Sequence, residues 1–199
     1  WCAEHDRVLV HVSTDFVFAG SADRTQPFRE TDCPQPQGAY AVSKLAGEQF
    51  VQAICPRHFV VRTCGLYGVA ARPGKRNFVE TMLKLAGERD ELTVVNDQRC
   101  SPTSAHDLAE AILALSATEQ YGLYHATNAG SVTWHEFALE IFRQAGRAVR
   151  VRPVTSAEFK TPARRPTYSV LDCTKLLAAL GRQMRPLPEA LADYLRERM

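Results

Sequence analysis

The sequence lacks the patterns that mark membrane and secreted proteins. No apolar run approaches the roughly 20 residues that a membrane-spanning helix needs, so we expect no transmembrane segment and no membrane partner. The first residues, Trp1 to Asp6, carry neither a basic end nor an apolar stretch, and they predict no secretory signal. These absences favour a cytoplasmic location.

The sequence also lacks the spacings of common metal sites. Its six cysteines contain no C-x-x-C pair, and its six histidines form no H-E-x-x-H pattern. We therefore expect neither a zinc nor a redox centre. The cysteines are interpreted as reduced thiols that act as small core residues: Cys2, Cys33, Cys55, Cys64, Cys100 and Cys173.

The composition is that of a globular protein, with 45% hydrophobic and 23% charged residues over 199 positions, which excludes intrinsic disorder. The net charge of +2 is unevenly spread, because residues 143–199 hold 12 Lys and Arg against 5 Asp and Glu. This basic final third suits an anionic ligand such as a nucleotide diphosphate, or forms a solvated arginine-rich surface. No nucleic-acid-binding motif accompanies the charge, so nucleic acid is not an expected partner.

Hydrophobic patterning predicts strands that alternate with helices. We expect strands over 7–12, 58–63, 92–95 and 123–126, and helices over 40–55, 78–86, 105–115 and 134–144, the last one opened by a capping box at Thr133 and Glu136. A Pro-rich loop with Pro153, Pro162 and Pro166 follows, then a helix after Asp172 and a final helix from Pro188.

This alternation predicts an α/β fold with a largely parallel sheet. Such sheets bind ligands outside the carboxyl ends of their strands. Two short polar segments fall at those ends, residues 13–15 after the first strand and residues 63–65 after the second. Both segments are therefore candidates for a functional site.

Tyr40 and Lys44 form a Y-x-x-x-K pair on the first predicted helix. Residues four apart share a helix face, so the phenol and the ammonium can point at one ligand. An ammonium stabilises a nearby phenolate, and such a pair can exchange a proton with a carbonyl or alcohol oxygen. The hydroxyl of Thr14 or Ser13 is placed to bind the same oxygen. Taken alone, the pair is a weak signal, because such pairs occur by chance on many helices as a surface Tyr and Lys.

Several blocks in order along the chain are typical of one family. They are V-H-V-S-T-D-F-V-F-A-G (10–20), Y-A-V-S-K-L-A-G-E (40–48), V-R-T-C-G-L-Y-G (61–68), V-V-N-D-Q-R-C-S-P-T (94–103) and R-P-T-Y-S-V-L-D (165–172). With these blocks the sequence resembles the dTDP-4-dehydrorhamnose reductases of the extended short-chain dehydrogenase/reductase superfamily. The resemblance implies reduction of a 4-keto-6-deoxy sugar nucleotide, dTDP-4-dehydrorhamnose to dTDP-rhamnose, by NADPH or NADH.

The resemblance also implies roles for single residues. Tyr40 resembles the catalytic acid, Lys44 the residue that holds the nicotinamide ribose, and Thr14 the hydroxyl that binds the substrate carbonyl. The residues matched to cofactor binding are Ser13, Tyr40, Lys44 and Thr63, and those matched to substrate binding are Thr14, Asp15, Asn77, Gln98 and Arg165. Alternatively, Asn77 caps a helix, Gln98 lies in a turn and Arg165 is a surface residue; Trp134 and Phe137 are interpreted as core.

The resemblance further implies an incomplete doubly wound, Rossmann-type sheet with a smaller substrate-binding region. We expect residues 1–64 and 97–125 in the nucleotide-binding part, and residues 65–96 and 126–199 in the substrate-binding region. The family begins with a strand, a glycine-rich turn and a helix that bind the cofactor pyrophosphate, and no such motif occurs in this sequence. We therefore expect roughly the first third of a complete enzyme to be missing.

Other readings remain open. The absent glycine-rich turn favours a non-catalytic sugar-nucleotide-binding or regulatory protein, similar to the β subunit of methionine adenosyltransferase, and an epimerase of another sugar nucleotide is a third hypothesis. Gly65 and Cys100 depart from the family pattern, which leaves the sugar undetermined. The resemblance also admits a homodimer and Mg²⁺, for which the sequence assigns no ligands.

Overall fold

Strands and helices alternate along most of the chain. The computed structural model describes residues 1–20, 23–69, 77–159 and 164–198. The strands are β1 (Leu9–Thr14), β2 (His58–Thr63), β3 (Leu66–Tyr67), β4 (Glu91–Val95), β5 (Arg99–Cys100), β6 (Thr103–Ser104), β7 (Gly122–His125), β8 (Val132–Thr133) and β9 (Arg150–Val154). The helices are α1 (Ala39–Ile54), α2 (Phe78–Ala86), α3 (Ala105–Ser116), α4 (Trp134–Gln144), α5 (Ser156–Phe159), α6 (Thr174–Leu180) and α7 (Leu187–Glu197).

Three parallel strands form the central sheet, in the order β1-β2-β7. The register pairs Ser13 with Arg62 and Thr14 with Thr63, so the polar ends of β1 and β2 lie side by side. Strands β4 and β9 form a second parallel pair, while β5 and β8 pair antiparallel. The predicted α/β class with a parallel sheet is confirmed, and polar side chains meet at its carboxyl edge.

Alternate residues of the strands face different helices. Val10 and Phe59 pack with the apolar side chains of α3 and α6, in a cluster that contains Leu108, Leu115 and Leu176. On the opposite face His11 lies against Gly47 of α1. Helices therefore cover both faces of the sheet, the arrangement of a doubly wound fold.

A second hydrophobic core joins α2, α4 and α7. It is built on Phe137, Ile141 and Leu191, which are almost fully buried, and it also contains Val79 of α2. This core involves residues from 67 to 195 and lacks any member from β1, β2 or α1. The expected division into residues 1–64 with 97–125 and 65–96 with 126–199 stays a prediction.

Each helix and strand predicted over a stated range is present, whereas strands β3, β5, β6, β8 and β9 were not predicted. The predicted Pro-rich loop is wrong at Pro153, which lies in β9 and pairs with Val94 of β4. A proline is tolerated there because β9 pairs with only one neighbour among the described residues, so the missing N–H disrupts no second ladder. Pro162 lies outside the described residues.

None of the helices in the described ranges combines enough length with enough apolar character to cross a bilayer.

Candidate active site

The end of β1 turns sharply because of the residues that follow it. Thr14 Oγ1 accepts a hydrogen bond from the backbone N–H of Phe16 at 3.2 Å and donates one to Asp15 Oδ1 at 3.1 Å. This cap opens a single 3₁₀ turn over Asp15–Val17. The turn holds the Thr14 and Asp15 side chains at the carboxyl edge of the sheet.

A cavity of about 180 Å³ lies at this edge. It brings together five residues that the sequence singled out, namely Thr14, Asp15, Tyr40, Gln98 and Arg165. They come from the end of β1, the first turn of α1 and two later loops. The cavity is therefore assembled from segments that are distant in sequence.

Tyr40 and Lys44 occupy one face of α1, as their spacing predicts. Tyr40 is 59% exposed, and its ring meets that of Phe16 edge-on with centroids 6.3 Å apart. Lys44 Nζ donates to the backbone carbonyl of Val12 at 2.5 Å. The lysine is thereby tied to β1, one helical turn away from the phenol at the cavity.

Asp15 supplies a buried carboxylate to the cavity. Its Oδ2 has no hydrogen-bond partner within the described ranges. Burial raises the pKa of Asp15 to about 6, although hydrogen bonds from Ser169, Cys64 and Thr14 oppose the shift. Asp15 can therefore change its protonation near neutral pH.

Two thiols line the same cavity. A hydrogen bond with Cys100, burial and the negative charge of Asp15 together raise the pKa of Cys64 well above its ordinary value. Cys64 therefore remains a neutral thiol at physiological pH and is a poor nucleophile. Both residues behave as the small buried side chains that the sequence predicted.

Besides Lys44, three predicted residues do not line this cavity. Ser13 Oγ donates to the carboxylate of Glu48 on α1. Thr63 is buried, and its hydroxyl has no partner in the described part of the chain. Asn77 caps α2, accepting from Glu80 N at 2.9 Å and donating to Gly68 O at 3.1 Å. The capping alternative for Asn77 is confirmed, and the ligand-binding roles of all three residues stay predictions.

Gln98 and Arg165 border two cavities at once. They line the cavity at Thr14 and also a neighbouring cavity of about 320 Å³, whose walls include Phe78, Met82 and Phe159. Gln98 Nε2 donates to Ser156 Oγ at 2.7 Å, which fixes its amide between them. A ligand with an anionic group near Arg165, a polar end in the smaller cavity and an apolar end in the larger one would suit these walls.

Trp134 forms the third shared wall of these cavities, a position that the sequence did not predict. Its indole lies against Gly65, where a Cβ atom would sit 3.1 Å from Trp134 Cη2. Gly65 adopts a φ of +51°, a conformation that favours glycine. Phe137 is a core residue as expected, whereas Trp134 is half-buried and packs on the core with one edge of its ring at the cavity.

The cavity residues that the sequence analysis did not predict differ in how clearly the sequence marks them. Ser169 and Cys64 lie within blocks that the resemblance already quoted, so their place in the cavity was available from those blocks. Trp134 is the first residue of α4 and lies between the two residues of the capping box, and its helical position carries no sign of the cavity. Only the tertiary packing of α4 against Gly65 places it there.

Among the described residues, one group of potential metal ligands lies elsewhere, at the start of α3. His106, Asp107 and Glu110 bring one donor atom each to within 4.8 Å of one another. Asp107 already binds Arg185 at 2.5 Å and Asn128 at 2.6 Å. Because Arg185 neutralises the buried carboxylate, this group does not provide the ligand assignment for Mg²⁺ that the sequence left open.

Comparison with known protein families gives one match over the whole chain. The model described as "RmlD substrate binding domain" matches residues 1–199.

Individual relatives agree with this match. The chain is 42% identical to the spore coat polysaccharide biosynthesis protein SpsK of Bacillus subtilis, over 95% of its length and 64% of the relative. It is 41% identical to the dTDP-4-dehydrorhamnose reductase of Streptomyces griseus, over 96% of its length and 64% of that enzyme. The chain thus spans less than two thirds of these two relatives.

A solved structure shows the same fold. It is the dTDP-4-dehydrorhamnose reductase of Bacillus anthracis in complex with NADP, with 41% identity and a TM-score of 0.92, covering 98% of this chain and 68% of that one.

Proposed function

Because the chain belongs to the RmlD substrate-binding domain family, we propose that it binds a nucleotide sugar and serves an NAD(P)H-dependent reductase. In the whole protein the reaction is reduction of the 4-keto group of a dTDP-6-deoxy sugar, dTDP-4-dehydrorhamnose to dTDP-rhamnose, for cell-surface polysaccharide. The relatives named as reductases and as a polysaccharide biosynthesis protein support the proposal. The observation that carries it is the meeting of the Thr14 hydroxyl and the Tyr40 phenol at one cavity.

The proposed chemistry follows from the geometry of these two side chains. The Thr14 hydroxyl, at the carboxyl edge of the sheet, turns its single proton from Asp15 Oδ1 to the substrate carbonyl oxygen and donates a hydrogen bond there. Tyr40 then donates its phenolic proton to that oxygen as negative charge develops on it. Lys44, fixed to Val12 O, places its ammonium one turn from Tyr40, where its charge stabilises the phenolate left behind.

The residues present fit the nicotinamide end of a dinucleotide. Tyr40 offers an exposed phenol at the cavity, Lys44 offers a half-buried ammonium one turn along α1, and the buried hydroxyl of Thr63 at the end of β2 has no partner among the described residues. A bound nicotinamide supplies the hydride. Ser13, Tyr40, Lys44 and Thr63 are the residues proposed to hold it, and the 199 residues contain no glycine-rich turn for its pyrophosphate.

Arg165 is proposed to bind the diphosphate of the substrate. It lies where the two cavities meet, and a guanidinium can bind two phosphate oxygens at once. Asp15 and Gln98 are proposed to bind sugar hydroxyls on the smaller side. Asn77 is retained as a proposed substrate residue only through α2, which it caps. The substrate-binding region is proposed to comprise residues 65–96 and 126–199.

The cellular setting is proposed from the thiols and the fold. All six cysteines are free, which supports a reducing compartment such as the cytoplasm. A homodimer is proposed as the assembly, supported by exposed apolar side chains on α1, among them Phe50 and Ile54.

Two measurements test the proposed function. Calorimetric titration of the 199-residue chain should show saturable binding of a dTDP-sugar, which Arg165→Ala should weaken by about tenfold or more and Arg164→Ala, the matched control, should leave unchanged. Turnover assays of the whole protein with dTDP-4-dehydrorhamnose should show stoichiometric loss of NADPH.

The outcomes separate the three hypotheses. Sugar-nucleotide binding without NADPH loss in the whole protein would favour the non-catalytic binding protein. A changed sugar with the nicotinamide returned in its starting oxidation state would indicate an epimerase. Absence of sugar-nucleotide binding would contradict both the reductase and its rivals.

A further inference from the structure

A fully buried ion pair lies directly behind the candidate active site. Glu48 of α1 and Arg62 of β2 are 0% and 2% exposed. Arg62 Nη2 donates to Glu48 Oε2 at 2.6 Å, and Arg62 Nε lies 2.9 Å from Oε1. Ser13 Oγ of β1 also donates to Oε1 of Glu48. One carboxylate thus connects a helix and two strands.

These three elements are the ones that carry the proposed catalytic groups. Glu48 follows Lys44 by four residues and Tyr40 by eight, so all three lie along one face of α1. Ser13 directly precedes Thr14, and the sheet register places Ser13 opposite Arg62. Any shift of α1 relative to the strand ends must therefore disturb the contacts of Glu48.

Arg62 is itself held from further sides. Its Nη1 lies 3.5 Å from Nε2 of His125 on β7, and its guanidinium lies 5.0 Å from the centroid of the Phe18 ring. The Phe18 ring stacks on Phe28 at 4.2 Å. The cation consequently has little freedom to follow a moving carboxylate.

A contribution to stability does not by itself explain why this buried ion pair is present. Burying two charges costs desolvation energy, and well-packed apolar residues of similar size are often equally stable. Directional hydrogen bonds differ from apolar contacts in that they specify one distance and one angle. The pair is suited to fix where α1 sits over the strand ends.

We propose that Glu48 and Arg62, together with the Ser13 hydroxyl, are positioning residues that set the separation between the Tyr40 phenol and the Thr14 hydroxyl. Neither Glu48 nor Arg62 lines the cavity in the described structure, so they act through the elements they join. This inference rests on the proposed reductase function. It predicts a loss of turnover without a matching loss of substrate affinity, because misplacement by about 1 Å can lower rates about 100-fold.

The test uses two variants of the whole protein, Glu48→Gln and the double variant Glu48→Leu with Arg62→Met. The first keeps the shape of the side chain, and the second replaces the pair with apolar groups that leave no buried charge unpaired. In both we expect a kcat lowered by about 10- to 100-fold and a KM for the nucleotide sugar within about twofold of the wild type. Circular dichroism and melting temperature report on folding.

Asp107→Asn is the matched control. Asp107 is also buried and also pairs with an arginine, Arg185, but it lies at the start of α3 and outside the cavity. Assayed at temperatures where each variant is folded, this control should keep the wild-type kcat. If the double variant does not fold, Glu48→Gln decides the matter alone.

Folded Glu48 variants with wild-type kcat would overturn the inference, and so would an equal loss of kcat in Asp107→Asn. A wild-type protein that does not reduce a nucleotide sugar would instead contradict the proposed function.

Discussion

At the scale of the residue, the pKa values of Asp15 and His125 are shifted in opposite directions, and the two shifts affect stability in different pH ranges. Burial raises the pKa of Asp15 to about 6 from 3.8. Burial and the nearby positive charge of Arg62 lower the pKa of His125 to about 3 from 6.5. The first shift makes folding less favourable as pH rises from about 4 to 6, and the second makes it less favourable as pH falls below 6.5.

Asp15→Asn should therefore stabilise the protein at pH 7 by about 2–3 kcal/mol, because the folded state no longer holds a buried charge. The gain should vanish below about pH 4, where Asp15 is protonated in both states. Urea denaturation of the variant and the wild type at pH 7 and below about pH 4 measures this gain. An equal gain at both would contradict the raised pKa, and Asp23→Asn, at an exposed position, is the control.

His125→Asn should reduce the amount by which the free energy of unfolding falls as the pH is lowered. The imidazole is neutral in the fold, with Nδ1 donating to Phe28 O at 3.0 Å, and an asparagine amide can replace that donor. Between pH 6.5 and 5 the wild type should lose about 1–2 kcal/mol more than the variant. Denaturation midpoints across this range measure the difference. Parallel curves for the two proteins would show that another group governs acid unfolding.

Tyr40→Phe should lower the turnover rate of the whole protein by at least about 100-fold, because the proton donor is removed. The exposed side chain contributes little to the core, so the melting temperature and binding of the dTDP-sugar should be nearly unchanged. Steady-state assays and calorimetry provide the comparison, with Tyr168→Phe as a matched loss of one hydroxyl. Retention of most of the activity would contradict the role of Tyr40.

At the scale of the element, α4 shows how far local sequence determines structure. The Thr133 hydroxyl accepts from Glu136 N at 3.1 Å, and the Glu136 carboxylate accepts from Thr133 N at 2.8 Å, the capping box that the sequence predicted. Thr133 Oγ1 also donates to Asn96 Oδ1 at 2.7 Å. The cap thus joins α4 to the end of β4.

Thr133→Ala should lower the free energy of unfolding by about 1–2 kcal/mol, since it removes the cap and the contact with Asn96. Thr133→Ser retains the hydroxyl and should lose no more than about 0.8 kcal/mol, which is what the buried methyl contributes. Chemical denaturation of the two variants separates them. Equal losses would indicate that packing of the methyl group, rather than capping, matters.

The elements that sequence reasoning missed share a physical cause. Strands β3, β5, β6 and β8 are two residues long, which is too short for any hydrophobic period to appear. Strand β9 reads R-V-R-P-V, and its pairing with β4 depends on a partner more than 50 residues away. By contrast α2 was predicted to the residue, because Asn77 and Glu80 give its start a local signal.

At the scale of the whole molecule, one side of the structure is unusually apolar. On α1, Phe50 is 67% and Ile54 is 64% exposed, and β1 beside it pairs on one edge only within the described part of the chain. A free strand edge next to exposed apolar side chains favours association with another chain.

The 199-residue chain should therefore self-associate with increasing concentration. Phe50→Lys with Ile54→Glu should weaken the association by about tenfold or more, because each large side chain contributes about 1.5–3 kcal/mol when buried. Leu113→Glu, at a 70% exposed position on α3, should have no effect. Sedimentation velocity measures the association of the wild type and of both variants. Equal weakening by Leu113→Glu would show that Phe50 and Ile54 do not form the interface.

The cavity at Thr14 is also a property of the whole molecule. Five of its residues were predicted because parallel strands end at one edge and because the motif blocks resemble a known family. Trp134 was not, since its place depends on how α4 packs over Gly65. Ser13 shows the reverse, because strand alternation turns its hydroxyl to Glu48 and away from Thr14.

The contact between Gly65 and Trp134 has a consequence for the evolution of specificity. The two positions compete for one volume, because even a methyl group at 65 would press on the indole at 3.1 Å. A lineage that gains a bulky side chain at 65 must first give up the indole at 134, and these sites should therefore covary as a reciprocal pair. A larger side chain at 65 that arises while Trp134 is still present would then pass through a less stable intermediate, so a change at 65 is expected to follow one at 134.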